Sequence, residues 1–456
     1  MEPYEPPVIT KLQSGQMNKF GRSSGYARKV RRAIDGVTID DLVSRYGSPL
    51  YVFSEQKIRK LVRECRGAFS RRYPNLALAW SYKTNYLDAI CSIMHQEGSL
   101  AEVVSEMEYA KARALGVPGE QIIFNGPHKP WRALERAVAD GATINVDHLD
   151  EICDLETVAE KFGRRVPIGL RLNLDAGIHP QWSRFGFNLE SGQALDAVKR
   201  IANGGKLSPR GLHCHLGTFI LEPGAYAKQI EKMVGFAYEL EDQFGLAMEY
   251  LDIGGGFPSR SRLKTNYLPP DVGVPAIEDF AEQIGEALYR VLRPGKFPKL
   301  ILESGRALID DAGFLITTVE AAKRLVDGSR AYVVDAGVNL LFTTFWYKLN
   351  IELDREVAGL NENSVVYGPL CMNLDALDEG VSLPPLKRGT RLILSPVGAY
   401  NITQSMQFIT YRPNVVLIGE QGEVDVIREA EDLSDIVRRE KVPERLRGSA
   451  QASEGR

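Results

Sequence analysis

Alternation is the feature that most restricts this chain. Eight short apolar or β-branched runs recur between segments of helical length: LALAWSY (76–82), SLAEVVS (99–105), QIIFN (121–125), ATINVD (142–147), VPIGLRLN (166–173), RGLHCHLG (210–217), EYLDIGG (249–255) and KLILESG (299–305). The intervening text, such as WRALERAVADG and AIEDFAEQIGEALYRVL, repeats apolar residues at three- and four-residue spacing, as amphipathic helices do. Several of these segments end in Gly, a helix-stop signal. Eight buried strands alternating with helices is the count of an α/β fold of the (β/α)8 TIM-barrel kind; a doubly wound open sheet is the competing arrangement. Either one gathers ligands at the carboxyl ends of the strands.

The texture changes after Arg306. Runs such as FLITTVEAAKRL, RAYVVDAG, SVVYGPL, TRLILSP and PNVVLIG are β-type, with fewer helices between them. We therefore expect a second, mostly β domain over 307–430, joined by the strand-like text of 36–55, with the barrel occupying 56–306. Residues 1–35, with basic Arg28, Lys29, Arg31 and Arg32, read as an N-terminal extension, and 431–456 as a polar C-terminal tail.

Charge narrows the class of partner. Fifty-six Lys+Arg against fifty-nine Asp+Glu give a formal −3, so no global field draws the chain to nucleic acid or an anionic membrane, and any phosphate must be held locally. No apolar run has the length of a membrane span. Five widely spaced cysteines without a CxxC fit reduced thiols better than a disulfide framework or zinc site. With no basic-then-apolar leader, a cytoplasmic location is the expectation.

Chemistry collects at the expected strand ends. Lys83 follows the first strand, His213 and His215 close the sixth, Gly254, Gly255 and Gly256 follow the seventh, and Glu303 and Arg306 close the eighth. Each has a plainer reading alone: a solvated lysine, core histidines, a tight turn, a surface Glu-Arg. A metal-dependent hydrolase would use the HxH pair, yet needs further His and Asp ligands at other strand ends, and we expect no metal. Together the parts suit one group. Consecutive glycines let N–H groups approach a phosphate, and Arg306 adds a charged fork. A lysine amine condenses with an aldehyde, an imidazole lies flat on a ring, and a carboxylate pairs with a protonated pyridine nitrogen. That group is pyridoxal 5'-phosphate.

The text YKTN, EVVSEMEYAKARALGV, IIFNGPHK, SRFGF, GLHCHLGT, LDIGGGFP, ESGR, VVDAGVN, GPLC and GAY resembles the fold type III, alanine-racemase-like decarboxylases that use this cofactor. The resemblance spans about 36–430 and is nearest to diaminopimelate decarboxylase. It implies that Lys83 is the Schiff-base lysine, that His215 stacks on the cofactor ring, and that Glu303 pairs with the ring nitrogen. It implies that Thr218, Gly255, Gly256, Arg306 and Tyr400 hold the phosphate. Cys371 would enter from the partner of a head-to-tail homodimer with shared active sites and protonate the product carbon. Tyr347, Arg306 and Tyr400 would contact a small amino-acid substrate. Glu303 favours decarboxylation over racemisation, since racemases of this fold place an arginine there. A racemase and a non-catalytic regulatory homologue remain as alternatives.

Two positions depart from the pattern. Where it has an arginine for the distal carboxylate, this chain has Thr343; where it has an acid for the distal amino group, in the cysteine loop CMNLD, it has Met372. Leaving a buried charge unpaired costs more than one hydrogen bond contributes. The expectation is therefore an amino acid whose far end is uncharged, bulky or conjugated, as in specialised-metabolite biosynthesis; genuine meso-diaminopimelate is the alternative.

Overall fold

Strand Leu50–Ser54 (β1) leads through helix Glu55–Arg72 (α1) into eight strands: Leu76–Ser81 (β2), Leu100–Val103 (β3), Ile122–Phe124 (β4), Thr143–Val146 (β5), Val166–Asn173 (β6), Leu207–Cys214 (β7), Tyr250–Asp252 (β8) and Lys299–Ser304 (β9). The computed structural model describes residues 29–446 except 179, 266 and 267. Arg28 of the basic cluster and the tail beyond 446 lie outside the described residues.

The order β7-β8-β9-β2-β3-β4-β5-β6 is closed by pairing of β6 with β7, all neighbours being parallel. The open-sheet alternative is thereby set aside. Strands covered on both faces need apolar residues on both, so β2 and β9 read as near-continuous apolar runs. Helix Ile277–Val291 shows the matching pattern: Phe280, Ala281, Ile284, Ala287 and Leu288 are its buried stripe. Gly141, Gly163 and Gly245 end their helices in the left-handed conformation, as the sequence signal implies.

The second sheet runs from Ala376–Leu383 through Glu362–Tyr367, Arg330–Val334, Gly313–Arg324 and β1 to Val415–Ile418 and Val424–Arg428. β1 pairs antiparallel with Gly313–Ile316 and parallel with Val415–Ile418. The chain thus enters this sheet, leaves it to build the barrel, and returns. Among the described residues no helix is long and apolar enough to cross a membrane.

The barrel interior is layered. Ala79, Ile123 and Ile301 form a small apolar cluster with Ala77, Leu100 and Tyr250. The Tyr250 ring has room because β6 and β7 carry glycine beside it. A Cβ at Gly169 would lie 2.1 Å from the Tyr250 hydroxyl, and one at Gly211 2.3 Å from its ring. Period-two alternation then puts Ser81, Glu102, Asn125, Asp252 and Glu303 on the same inner face, one step toward the carboxyl ends.

Candidate active site

A cavity of about 540 Å³ opens above this polar layer. Lys83, His215, Thr218, Gly256, Glu303, Arg306, Thr343, Tyr347 and Tyr400, all singled out in the sequence, line it. Gly255 does not line it, but its N–H donates to the lining residue His215 at Nδ1, 3.0 Å away. Cys371 and Met372 do not line it; Cys371 is exposed.

Lys83 sits in a short turn, Tyr82–Thr84, just past β2. Its side chain stays 38% exposed, toward the cavity, and its ammonium pairs with Glu102. Burial works against that charge, but Glu102 and then Glu303 hold the lysine above its ordinary range. A loop of the second sheet clamps the turn from outside: Tyr400 N–H donates to Thr84 O at 2.8 Å, and Thr403 Oγ1 donates to Lys83 O at 2.8 Å.

Glu303 is 5% exposed. Asn125 donates to its Oε1, and His213 Nε2 lies 3.2 Å from its Oε2. Burial would raise its carboxyl, but His213, Asp252 and Lys83 hold it well below the carboxylate range. Asp252, beside it, is driven the other way by burial and by the Glu303 charge. Of two close carboxylates only one ionises readily, and here it is Glu303. A chain of amides ties this acid to the barrel floor: Tyr250 OH donates to Asn145 Oδ1 at 2.8 Å, and Asn145 Nδ2 to Asn125 Oδ1 at 2.9 Å.

His213 and His215 share an inner face but not a task. His215 is pushed down to about 3 by burial, Lys83 and Arg171, so its imidazole is neutral, with Nδ1 accepting from Gly255. Trp182 packs edge-on against it, ring centroids 5.4 Å apart.

The glycine turn is bare backbone because nothing larger fits. A Cβ on Gly255 would lie 2.1 Å from Glu303 O, and one on Gly256 2.5 Å from Gly217 O. Helix Pro223–Phe244 supports the turn from behind, Tyr226 OH donating to Gly255 O at 2.8 Å and Gln229 Nε2 to Ile253 O at 3.2 Å. Arg306 is buried, stacks near Tyr347 and Tyr400 at 4.4 and 5.0 Å, and leaves its Nε without a partner among the described residues. A lysine turned toward the cavity, an ionised acid, a neutral flat imidazole, a turn with room only for backbone and an unfilled guanidinium donor fit pyridoxal phosphate.

Sequence reasoning missed Glu102, Asn125, Arg171, Trp182 and Asp252. Glu102 carried a signal: an acid inside a buried run, on the parity of the strand-end residues. Arg171 lines the cavity, paired with Asp147 at 3.3 Å and stacked on Phe185 at 4.5 Å; only the register of β6 reveals it.

A closed parallel barrel with this lysine, acid and glycine turn at its carboxyl end defines a pyridoxal-phosphate enzyme of the barrel type. The chain belongs to the pyridoxal-dependent decarboxylases: the family model for their pyridoxal-binding domain matches residues 56–310. It is therefore a carboxy-lyase whose cofactor is pyridoxal phosphate. A diaminopimelate decarboxylase of Aquifex aeolicus is 30% identical over 421 residues, which cover 89% of this chain and 94% of that relative. One of Actinosynnema pretiosum is 31% identical, over 95% of this chain and 94% of its own length. The solved diaminopimelate decarboxylase of Methanocaldococcus jannaschii superposes with TM-score 0.83 at 27% identity, over 92% of this chain and 99% of that one.

Proposed function

We propose that this chain releases CO2 from the α-carbon of a diaminopimelate-like amino acid. The observation that carries the reading is that Lys83, in the turn just past β2, and ionised Glu303, on the neighbouring strand β9, face one cavity. When bound, pyridoxal phosphate supplies an electron-withdrawing ring that accepts the electron pair left as CO2 departs. Lys83 is the amine that would hold the cofactor's aldehyde carbon. Glu303, kept ionised, would hold a proton at the ring nitrogen, and neutral His215 offers a flat face without a competing charge. Gly255, Gly256, Thr218, Arg306 and Tyr400 would bind the phosphate.

A second copy completes the site in this reading. Cys371 is exposed and lies outside the cavity of its own chain, so as proton donor to the product carbon it acts on a partner, with Met372 beside it. Exposed Phe345, Trp346, Leu374, Phe408 and Tyr411 supply an apolar surface for that homodimer. Mixing inactive Lys83→Ala chains with slowed Cys371→Ala chains then raises turnover above that of either alone; if the mixture gains nothing, the sharing of sites fails.

One observation favours a second reading, a substrate with an uncharged or bulky far end. Thr343 is 4% exposed and its hydroxyl is already given to Asn401 Oδ1 at 2.9 Å, so it offers no charge to a distal carboxylate. Aromatic Trp346 stands beside it on the cavity wall. A CO2-release panel of meso-diaminopimelate, lysine, ornithine and aromatic amino acids separates the two. Turnover confined to meso-diaminopimelate supports the first, and turnover that avoids it supports the second. Racemised amino acid without CO2 would end both.

A further inference from the structure

We propose that Asp310 is a positioning residue that assembles the phosphate-holding groups of the site from three separate segments. It is 2% exposed, just past the short helix Arg306–Ile309. Its Oδ2 accepts from Ser259 Oγ at 2.6 Å, Ser261 Oγ at 2.7 Å and Arg306 Nη1 at 3.0 Å. Its Oδ1 accepts from Ala399 N–H at 3.1 Å, and its backbone oxygen from Gly398 N–H at 3.0 Å. Each partner is a group aimed at the cavity or lies on a segment that carries one. Ser259 and Ser261 lie on the segment that follows Gly255 and Gly256 past Phe257, Arg306 is the guanidinium itself, and Ala399 precedes Tyr400. Tyr400 holds a left-handed φ of 67°, a conformation a non-glycine residue keeps only when its surroundings hold it there.

Both side-chain oxygens of Asp310 serve these donors purely as acceptors. An asparagine presents one donor edge. Turned one way, that edge meets Arg306 Nη1; turned the other, it meets the Ala399 N–H. The exact isostere therefore mispairs one of the two segments whichever way it flips. The inference rests on the pyridoxal-phosphate reading and adds a residue that touches neither ring nor phosphate.

The test uses the full chain freed of cofactor and two probes: pyridoxal phosphate and pyridoxal, which lacks the phosphate. Binding is read from the absorbance of the coloured lysine adduct. Asp310→Asn weakens binding of pyridoxal phosphate about ten- to a hundredfold, the effect of one mispaired buried polar group. It leaves pyridoxal binding at the wild-type value. A merely structural role would weaken both probes alike, and that result, or no change in either, overturns the proposal. Should Asp310→Asn not fold, the Ser259→Ala, Ser261→Ala double variant decides: it shows the same selective loss, smaller in size, or the proposal fails. A wild-type chain that binds neither probe overturns the cofactor reading and this one with it; a wild type that binds both isolates the fate of Asp310.

Discussion

Two layers of the barrel interior lie two residues apart on the same strands and share one face. Below are Ala79, Leu100, Ile123, Tyr250 and Ile301; above are Ser81, Glu102, Asn125, Asp252 and Glu303. The lower layer packs without charge. In the upper, two neighbouring acids are driven apart from the ordinary carboxylate range: Asp252 upward by burial and the Glu303 charge, Glu303 downward, against burial, by His213, Asp252 and Lys83. One strand step separates the apolar residues that pack the barrel from the polar ones buried beneath the cavity. The lower layer is what permits the upper: a charged cluster is costly to bury, and a rigid floor keeps its geometry from relaxing.

The comparison breaks most sharply at Lys83. Lys83→Ala should abolish both CO2 release and the absorbance of bound cofactor; retained colour would remove this lysine from the centre of the site. Next, Glu303→Gln should lower kcat by about 10²- to 10³-fold, the usual loss for one preorganised electrostatic group, without lowering stability. One layer down, Ile301→Ala should do the opposite. It should cost about 2–5 kcal/mol in denaturant unfolding, as buried Ile→Ala changes do, with kcat per folded molecule kept. If Ile301→Ala hit kcat as hard as Glu303→Gln, the layers would not be separable.

The smallest effect is in pH. His215 is held at about 3 against an ordinary 6.5, so the unfolded chain binds a proton there that the folded chain refuses. Stability therefore falls as pH drops below about 6.5 toward 3. Between pH 7 and 5.5 the loss from this residue is about 1 kcal/mol in cofactor-free protein. His215→Gln should flatten the stability profile by that amount; an unchanged slope would mean the imidazole protonates normally.

Much of this was legible before any coordinates. The eight strands stood out because parallel strands buried on both faces must be apolar throughout; Lys83, His215 and Glu303 stood out as polar residues at the ends of such runs, and Gly255 as part of a run of three glycines. β1 was readable as part of the second sheet from its β-branched and aromatic text. Asp310 was not: its partners at 259, 261, 306 and 399 are brought together only by folding, and a second acid beside Asp311 looks like surface. Cys371 and Met372 entered only through the family pattern, since nothing in their own text links them to the cavity, and they do not line it.

Tyr250, Gly169 and Gly211 show what such hidden agreement means over longer times. The tyrosine occupies the volume that two absent side chains leave on the neighbouring strands β6 and β7. None of the three positions can drift alone, since an added methyl at either glycine strikes the phenol, and a smaller side chain at 250 leaves a hollow under the amide chain. Divergent descendants should therefore alter all three together or none, making three distant letters of the sequence a single heritable unit.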